Sequence, residues 1–302
     1  MKIIGSVKED LSLEKRISIS PETAKKFIDL NLSVFLEKNY GVHLGIDDKE
    51  YEIKGANFCN TAKEVLEKSD IILKVNCPVD NETNFIKEKS ILIGQIDTLL
   101  NKEIINKLIK KNIKIFSLNF LPRITRAQSM DVLSSQANLA GYRAVIESVE
   151  EFDKAIPMMM TAAGTITPAK ILIIGAGVAG LQAIATAKRL GGVVSATDVR
   201  LAAKEQVESL GAKFLSVDGV ENLETAGGYA KEAGEDFKKK QAELLKNSIK
   251  KNDIVICTAL IPGKKAPRII SEEMVKSMKP GSIIYDLAVA QGGNSAFSEP
   301  DK

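Results

Sequence analysis

The segment 169–200, AKILIIGAGVAGLQAIATAKRLGGVVSATDVR, restricts what this chain can fold into more than any other. The unbroken apolar run 171–174 predicts a buried parallel strand. It leads directly into Gly175-x-Gly177-x-x-Gly180 and an apolar-faced helix that ends near Gly191. The three glycines serve different purposes. Gly175 permits a tight turn, Gly177 lets a pyrophosphate approach backbone N–H groups, and Gly180 lets helix pack closely on strand. The amino end of that helix favours negative charge. A second strand over 193–197 then ends in Asp198, 18 residues beyond Gly180. A carboxylate there accepts hydrogen bonds from adenosine ribose hydroxyls and repels a 2'-phosphate, so the pattern points to NAD(H) over NADP(H). A glycine-rich turn can be purely structural, and FAD is compatible with it, although no second flavin signature is visible. Strand, helix, second strand and terminal acid in register favour dinucleotide binding.

The remainder alternates strand-like and helix-like segments. In the amino-terminal half, 2–7, 32–36, 71–75, 91–94 and 113–118 read as extended, and 61–68 and 102–110 as helical. A helix over 21–30 has Ser20 as N-cap, Pro21 at its first position and Glu22 in its first turn. In the carboxyl-terminal half, a helix over 205–210 and strands over 213–217, 254–258 and 282–286 continue the pattern. The fold class expected is α/β: two Rossmann-like domains with parallel sheets, joined by a long crossing helix. Boundaries are expected at 1–126 for the first domain, 127–151 for the linking helix and 152–302 for the dinucleotide-binding domain. The three methionines 158–160 read as flexible core filler. Residues 218–250, glycine-flanked at Gly219, Gly227, Gly228 and Gly234, form an insert longer than ordinary βα connections, a candidate lid. Ligands sit at the carboxyl ends of parallel strands, which places 259–265 and 287–293 near the nicotinamide half.

Composition excludes several classes. Charged residues make up 27 % with a formal net charge of only +3, so nothing marks a nucleic-acid protein. The three cysteines, Cys59, Cys77 and Cys257, lack CxxC spacing and read as small hydrophobes of a reducing compartment; neither a disulfide framework nor a metal site is expected. The amino terminus lacks a signal-peptide core, and no apolar run reaches 18 residues.

His43 is the only histidine, and it falls in a loop-like YGVHLGID, expected to be structural or merely exposed. A dehydrogenase acting on an alcohol or amine needs a proton acceptor, usually histidine. Hydride transfer between two nicotinamide rings needs none, only positioning in a dry site. Arg123, Gln128, Asp131 and Ser134 are the positioning candidates: with a helix starting near Ala127, Asp131 and Ser134 share a face, and Arg123 and Gln128 lie at its entry. The same four also suit an N-cap and a surface ion pair. Arg16 and Lys74 read as surface residues or as a clamp for a small carboxylate. Tyr229, in the insert, either covers a bound cofactor or is simply exposed.

The stretches PRITRAQSMDVLSSQANLAGYRAV, GAGVAG with TDVR, AGGYAKE, TALIPGKKAP and MKPGSIIYDLA followed by GGN closely resemble the proton-translocating NAD(P) transhydrogenase family, in the first, NAD(H)-binding portion of its alpha subunit, over essentially the whole chain. That resemblance implies hydride transfer between NADH and NADP+, coupled to proton translocation by partner membrane domains. It makes Arg123, Asp131 and Ser134 the group holding the nicotinamide carboxamide and nearby ribose, and it aims Gln128 at NADP(H) bound by a partner domain. Tyr229 falls in the family's mobile loop. The cofactor-binding set becomes Gly175, Gly177, Val178, Gly180, Asp198, Val199, Arg200, Tyr229, Thr258, Ala259 and Leu260. It further implies a homodimer, cytoplasmic and peripheral on the inner membrane, with the membrane domain and the NADP(H)-binding domain on separate chains. Family members normally continue for several tens of residues, so the carboxyl-terminal return segment is expected to be missing here. Two alternatives accompany this: an alanine dehydrogenase-like enzyme, whose pyruvate-binding arginine and lysine match Arg16 and Lys74 but whose catalytic histidine has no counterpart at 95–97, and a truncated, non-catalytic NAD-binding remnant.

Overall fold

A computed structural model describes residues 1–98, 100–122, 124–217, 234–261 and 265–300, with the backbone alone at 235–238. The chain divides into two compact units, Met1–Val132 and Leu133–Lys302.

Unit 1 runs β1 (Ile3–Ser6), α1 (Pro21–Asp29), β2 (Ser33–Glu37), α2 (Asp48–Ile53), β3 (Asn57–Cys59), α3 (Ala62–Lys68), β4 (Ile71–Leu73), α4 (Asp80–Phe85), β5 (Ile91–Gly94), α5 (Lys102–Lys110) and β6 (Lys114–Ser117). Its six strands are parallel in the order β3-β2-β1-β4-β5-β6. Helix α1 starts where its residues dictate: Ser20 Oγ accepts from the Thr23 amide at 3.2 Å and Pro21 follows with its fixed φ. Strand side chains alternate between two buried faces. Val34, Leu36, Ile71 and Leu73 join the cluster around Tyr40 and Tyr51, while Phe35, Ile72 and Leu92 join the one around Val65 and Leu108. Of these elements α2, β3 and α4 are additions to the sequence reading.

Helix α6 (Val132–Glu150) joins the units. It begins later than the residue pattern predicts: residues 125–130 form a 3-10 turn (Thr125–Met130), and Asp131, with ψ of 82°, breaks the helical path before Val132. Unit 2 continues with β7 (Met159–Thr161), β8 (Gly164–Ile166), β9 (Lys170–Ile174), α7 (Val178–Arg189), β10 (Val193–Thr197), α8 (Ala203–Ser209), β11 (Lys213–Phe214), α9 (Glu235–Ile249), β12 (Ile254–Cys257), α10 (Glu272–Lys276) and β13 (Ile283–Asp286). Its five-stranded parallel sheet has the order β11-β10-β9-β12-β13. Strand β9 is central and buried on both sides. Ile171 and Ile173 pack with Ala183, Ile184 and Ala187 of α7, and Leu172 and Ile174 with Leu245 and Ile249 of α9. This explains the unbroken apolar run, since a strand covered twice has no polar face.

The methionines correct the sequence reading. Met158, Met159 and Met160 are not core filler: they are 60 %, 49 % and 72 % exposed, on an antiparallel β7–β8 hairpin whose residues are all exposed. The turn residues of TAAG close the hairpin before the run can enter the core. Among the described residues, no helix is long and apolar enough to cross a membrane.

Candidate functional site

In both sheets the strand order reverses beside the first strand, and the crevice outside the carboxyl ends at such a switch point is where open α/β sheets hold ligands. In unit 2 that point lies between β9 and β12. The turn after β9 has Gly175 at φ +96°, a conformation disfavoured for other residues. A methyl added at Gly175 would stand 2.7 Å from Thr258 Oγ1, and one at Gly180 only 1.9 Å from the Gly175 carbonyl oxygen. A methyl at Gly177 would meet nothing within 4 Å. The middle glycine therefore borders open space at the amino end of α7, whose N-cap offers no side-chain bond to the first turn. Thr258, just past β12, ties the two sides together: its amide donates to the Ile174 carbonyl at 2.8 Å and its hydroxyl to that of Gly175 at 2.9 Å.

Asp198 ends β10 facing this turn. Its carboxylate accepts from the Ala176 amide at 2.7 Å, from the Arg200 amide at 2.8 Å, and from Arg200 Nε and Nη2, each at 2.9 Å. Burial pushes the Asp198 carboxyl up, but the Arg200 guanidinium and the two amides outweigh it and hold it below the ordinary carboxylate range. Val199 and Leu201 line a small depression beside it with Phe214 and Val217. A separate open groove between α9 and α10, bearing the Lys246–Glu273 pair, contains none of the residues singled out from sequence.

Unit 1 has its switch point between β1 and β4, and there the chain supplies its own anions. Lys74 is 5 % exposed, with Nζ 2.9 Å from both Glu82 carboxylate oxygens and 3.5 Å from Glu9. Glu9 also accepts from the Val75 amide at 2.7 Å. Burial raises the Glu9 pKa against the pull of Lys74 and that amide. Arg16 meets Glu14 at 2.7 Å. Lys74 is thus not a surface residue, and both cations of the expected clamp are engaged by internal carboxylates. His43 is exposed as anticipated, in a 3-10 turn (Val42–Leu44) rather than a loop, with Nε2 2.8 Å from the Lys15 carbonyl.

The positioning candidates are distributed differently from the prediction. Gln128 is exposed in the 3-10 turn, Asp131 caps that turn, and Ser134 lies in the first turn of α6, so Asp131 and Ser134 do not share a helix face. Aspartate is favoured immediately before a helix, which is where Asp131 stands. Arg123, Tyr229, most of the proposed lid and 262–264 of the loop after β12 lie outside the described residues.

The alanine dehydrogenase/PNT N-terminal domain matches residues 5–140, and the C-terminal domain of the same description matches 144–302. The chain belongs to the alanine dehydrogenase/PNT family. The first of the alpha-subunit chains of the NAD(P) transhydrogenase of Rhodospirillum rubrum is 53 % identical, across 99 % of this chain and 80 % of that protein. The crystal structure of transhydrogenase from Sinorhizobium meliloti matches with a TM-score of 0.87 at 48 % identity, over 99 % of this chain and 82 % of the other. An L-alanine dehydrogenase structure, TM-score 0.82 and 21 % identical over 99 % and 78 %, shares the fold. Within the alanine dehydrogenase/PNT family, the chain is a transhydrogenase alpha-subunit NAD(H)-binding domain, belonging to an enzyme complex.

Two features of this family member were not anticipated from sequence. Gly141 of α6 lies so close to α7 that a methyl on it would stand 2.1 Å from the Ala179 carbonyl oxygen, a contact only glycine permits. Asn294 is fully buried and bonded to several loops. The GGN triplet was the available signal, since paired glycines before a polar residue mark a chain forced into unusual turns.

Proposed function

We propose that unit 2 holds NADH at the β9/β12 switch point and presents its nicotinamide to NADP+ carried by a partner domain on another chain. Proton movement belongs to a partner membrane domain in this reading, and the chain sits peripherally on the cytoplasmic side. One observation carries it: Gly177, alone among the three glycines of the turn, has room beside it, at a helix amino end with no side-chain cap. A diphosphate fits that position by charge and by close backbone approach. Bound NADH would supply a hydride from nicotinamide C4.

The chain's own residues then bind and orient. Gly175, Gly177, Val178 and Gly180 hold the diphosphate, Asp198, Val199 and Arg200 the adenosine ribose, and Thr258, Ala259 and Leu260 border the nicotinamide half. Arg123, Asp131 and Ser134 hold the carboxamide and its ribose, Gln128 reaches toward the NADP(H) of the partner, and Tyr229 covers the bound cofactor. Asp198 must exchange its guanidinium bonds for ribose hydroxyls, since a carboxylate has about four lone-pair sites and four donors already meet it. No proton acceptor is required, in keeping with a lone histidine far in sequence from the glycine turn.

Alanine oxidation fits less well, because Lys74 and Arg16 already face Glu82, Glu9 and Glu14. A homodimer belongs to the proposal. The exposed β7–β8 hairpin supports it, because two strands alone are marginal in water and exposed methionines call for a covering surface.

The test mixes this chain and NADH with the NADP(H)-binding domain of a transhydrogenase and follows NADPH formation. Transfer is expected, and Gln128→Asn should slow it while sparing NADH binding. NADH binding without transfer would instead identify a non-catalytic remnant, and NADH production from L-alanine and NAD+ would favour the dehydrogenase.

A further inference from the structure

Asn294 is 0 % exposed, and its side-chain amide does for Ala259 what a neighbouring strand would do. Oδ1 accepts from the Ala259 amide at 3.1 Å, and Nδ2 donates to the Ala259 carbonyl at 2.9 Å and to the Pro267 carbonyl at 2.9 Å. Its backbone is equally committed. The Asn294 amide donates to Asp286 Oδ2 at 2.6 Å, and its carbonyl accepts from the Ile269 and Ile270 amides at 2.8 and 2.9 Å. Asp286, the last residue of β13, also accepts from the Ala288 amide at 2.9 Å and the Ser295 amide at 3.1 Å.

The approach of Asn294 depends on the two residues before it. Gly292 and Gly293 have φ of +105° and +76°, and a methyl on Gly293 would stand 2.3 Å from Ser298 Cβ. The result is a continuous series of bonds: Asp286 to Asn294, Asn294 to Ala259, and, through the adjoining Thr258, to the Gly175 carbonyl. It connects the carboxyl ends of β13, β12 and β9, the three strands that flank the switch point.

We infer that Asn294 is a positioning residue for the nicotinamide half of the site, acting through the backbone of Ala259. The inference rests on the proposed placement of NADH. With both backbone polar groups of Ala259 engaged, Thr258 and Leu260 on either side are fixed in direction. Nothing in the series reaches Asp198, so the adenosine half is held independently.

The experiment compares the affinity of NADH with that of ADP-ribose, which lacks nicotinamide, for the whole chain and its Asn294→Ala variant. NADH should weaken about tenfold, the effect expected when buried amide bonds worth roughly 1.4 kcal/mol are lost, while ADP-ribose changes less than about twofold. If that variant does not fold, Asn294→Asp keeps the size and the acceptor toward the Ala259 amide but loses both donors, and the same divergence is expected. Equal weakening of both ligands, or no change in either, would overturn the inference. Failure of the unaltered chain to bind either ligand would instead count against the placement of NADH itself.

Discussion

The two parallel sheets share the strand order 3-2-1-4-5 around their first strands, yet their switch points have opposite character. In unit 2 the loop after the central strand is GAGVAG, and the chain leaves backbone amides and a glycine-lined gap where an anion fits. In unit 1 the equivalent crevice is filled by Lys74 with Glu82 and Glu9, a buried cluster that satisfies itself. One topology thus offers the same place for a ligand twice, and loop residues decide whether it is kept open or closed. This is why strand order alone argues for a fold and not for a function.

Substitutions that invert this contrast should separate stability from binding. The largest effect is expected from Lys74→Met, which strands two buried carboxylates; urea unfolding should show unit 1 destabilised by about 3–5 kcal/mol, with NADH affinity of the folded chain unchanged. Gly180→Ala should come next. Its methyl would press on the Gly175 carbonyl, costing unit 2 about 1–3 kcal/mol by the same assay and weakening NADH together with stability. Gly177→Ala should divide the two properties: stability falls by less than about 1 kcal/mol, while calorimetric titration shows NADH binding weakened about tenfold or more.

The smallest effect concerns pH, and it differs in sign between the units. Glu9 has a raised pKa in the folded state, so its contribution to stability is present below the ordinary value of 4.5 and is lost as pH rises through the folded value. Asp198 has a lowered pKa, so its contribution is present above 3.8 and is lost as pH falls through the folded value. Glu9→Gln should therefore gain stability relative to the unaltered chain as pH rises from 4.5, and Asp198→Asn should lose its disadvantage as pH falls below 3.8. Denaturant unfolding at a series of pH values reads both; parallel slopes would erase the contrast.

How legible each region was in the sequence follows from the range of the interactions that define it. Strand β10 over 193–197, helix α5 and strand β5 lie where the residue pattern put them, because local periodicity and flanking turn residues suffice there. Helix α4, DNETNF, has almost no apolar residues to repeat, and β3 is three residues at a sheet edge, so neither announces itself. The methionines misled because composition does not say which apolar residues stay outside. Asp131 misled because a single backbone angle ends a helix that its neighbours would continue. In the site, the glycine turn and Asp198 were visible as a motif. Arg200 against Asp198 and Asn294 against Ala259 were not, the latter because 35 residues separate the partners and only the folded sheet brings them together.

Arg200 also bears on the central claim, that the open switch point of unit 2 takes NADH. Its guanidinium offsets the Asp198 charge that argues against a 2'-phosphate, and an arginine in that place can accept one. Equilibrium titration of the chain with NADH and with NADPH, side by side at fixed salt, decides the matter. NADH should bind at least about tenfold more tightly, a difference of roughly 1.4 kcal/mol set by the buried carboxylate. Equal or tighter binding of NADPH would contradict it.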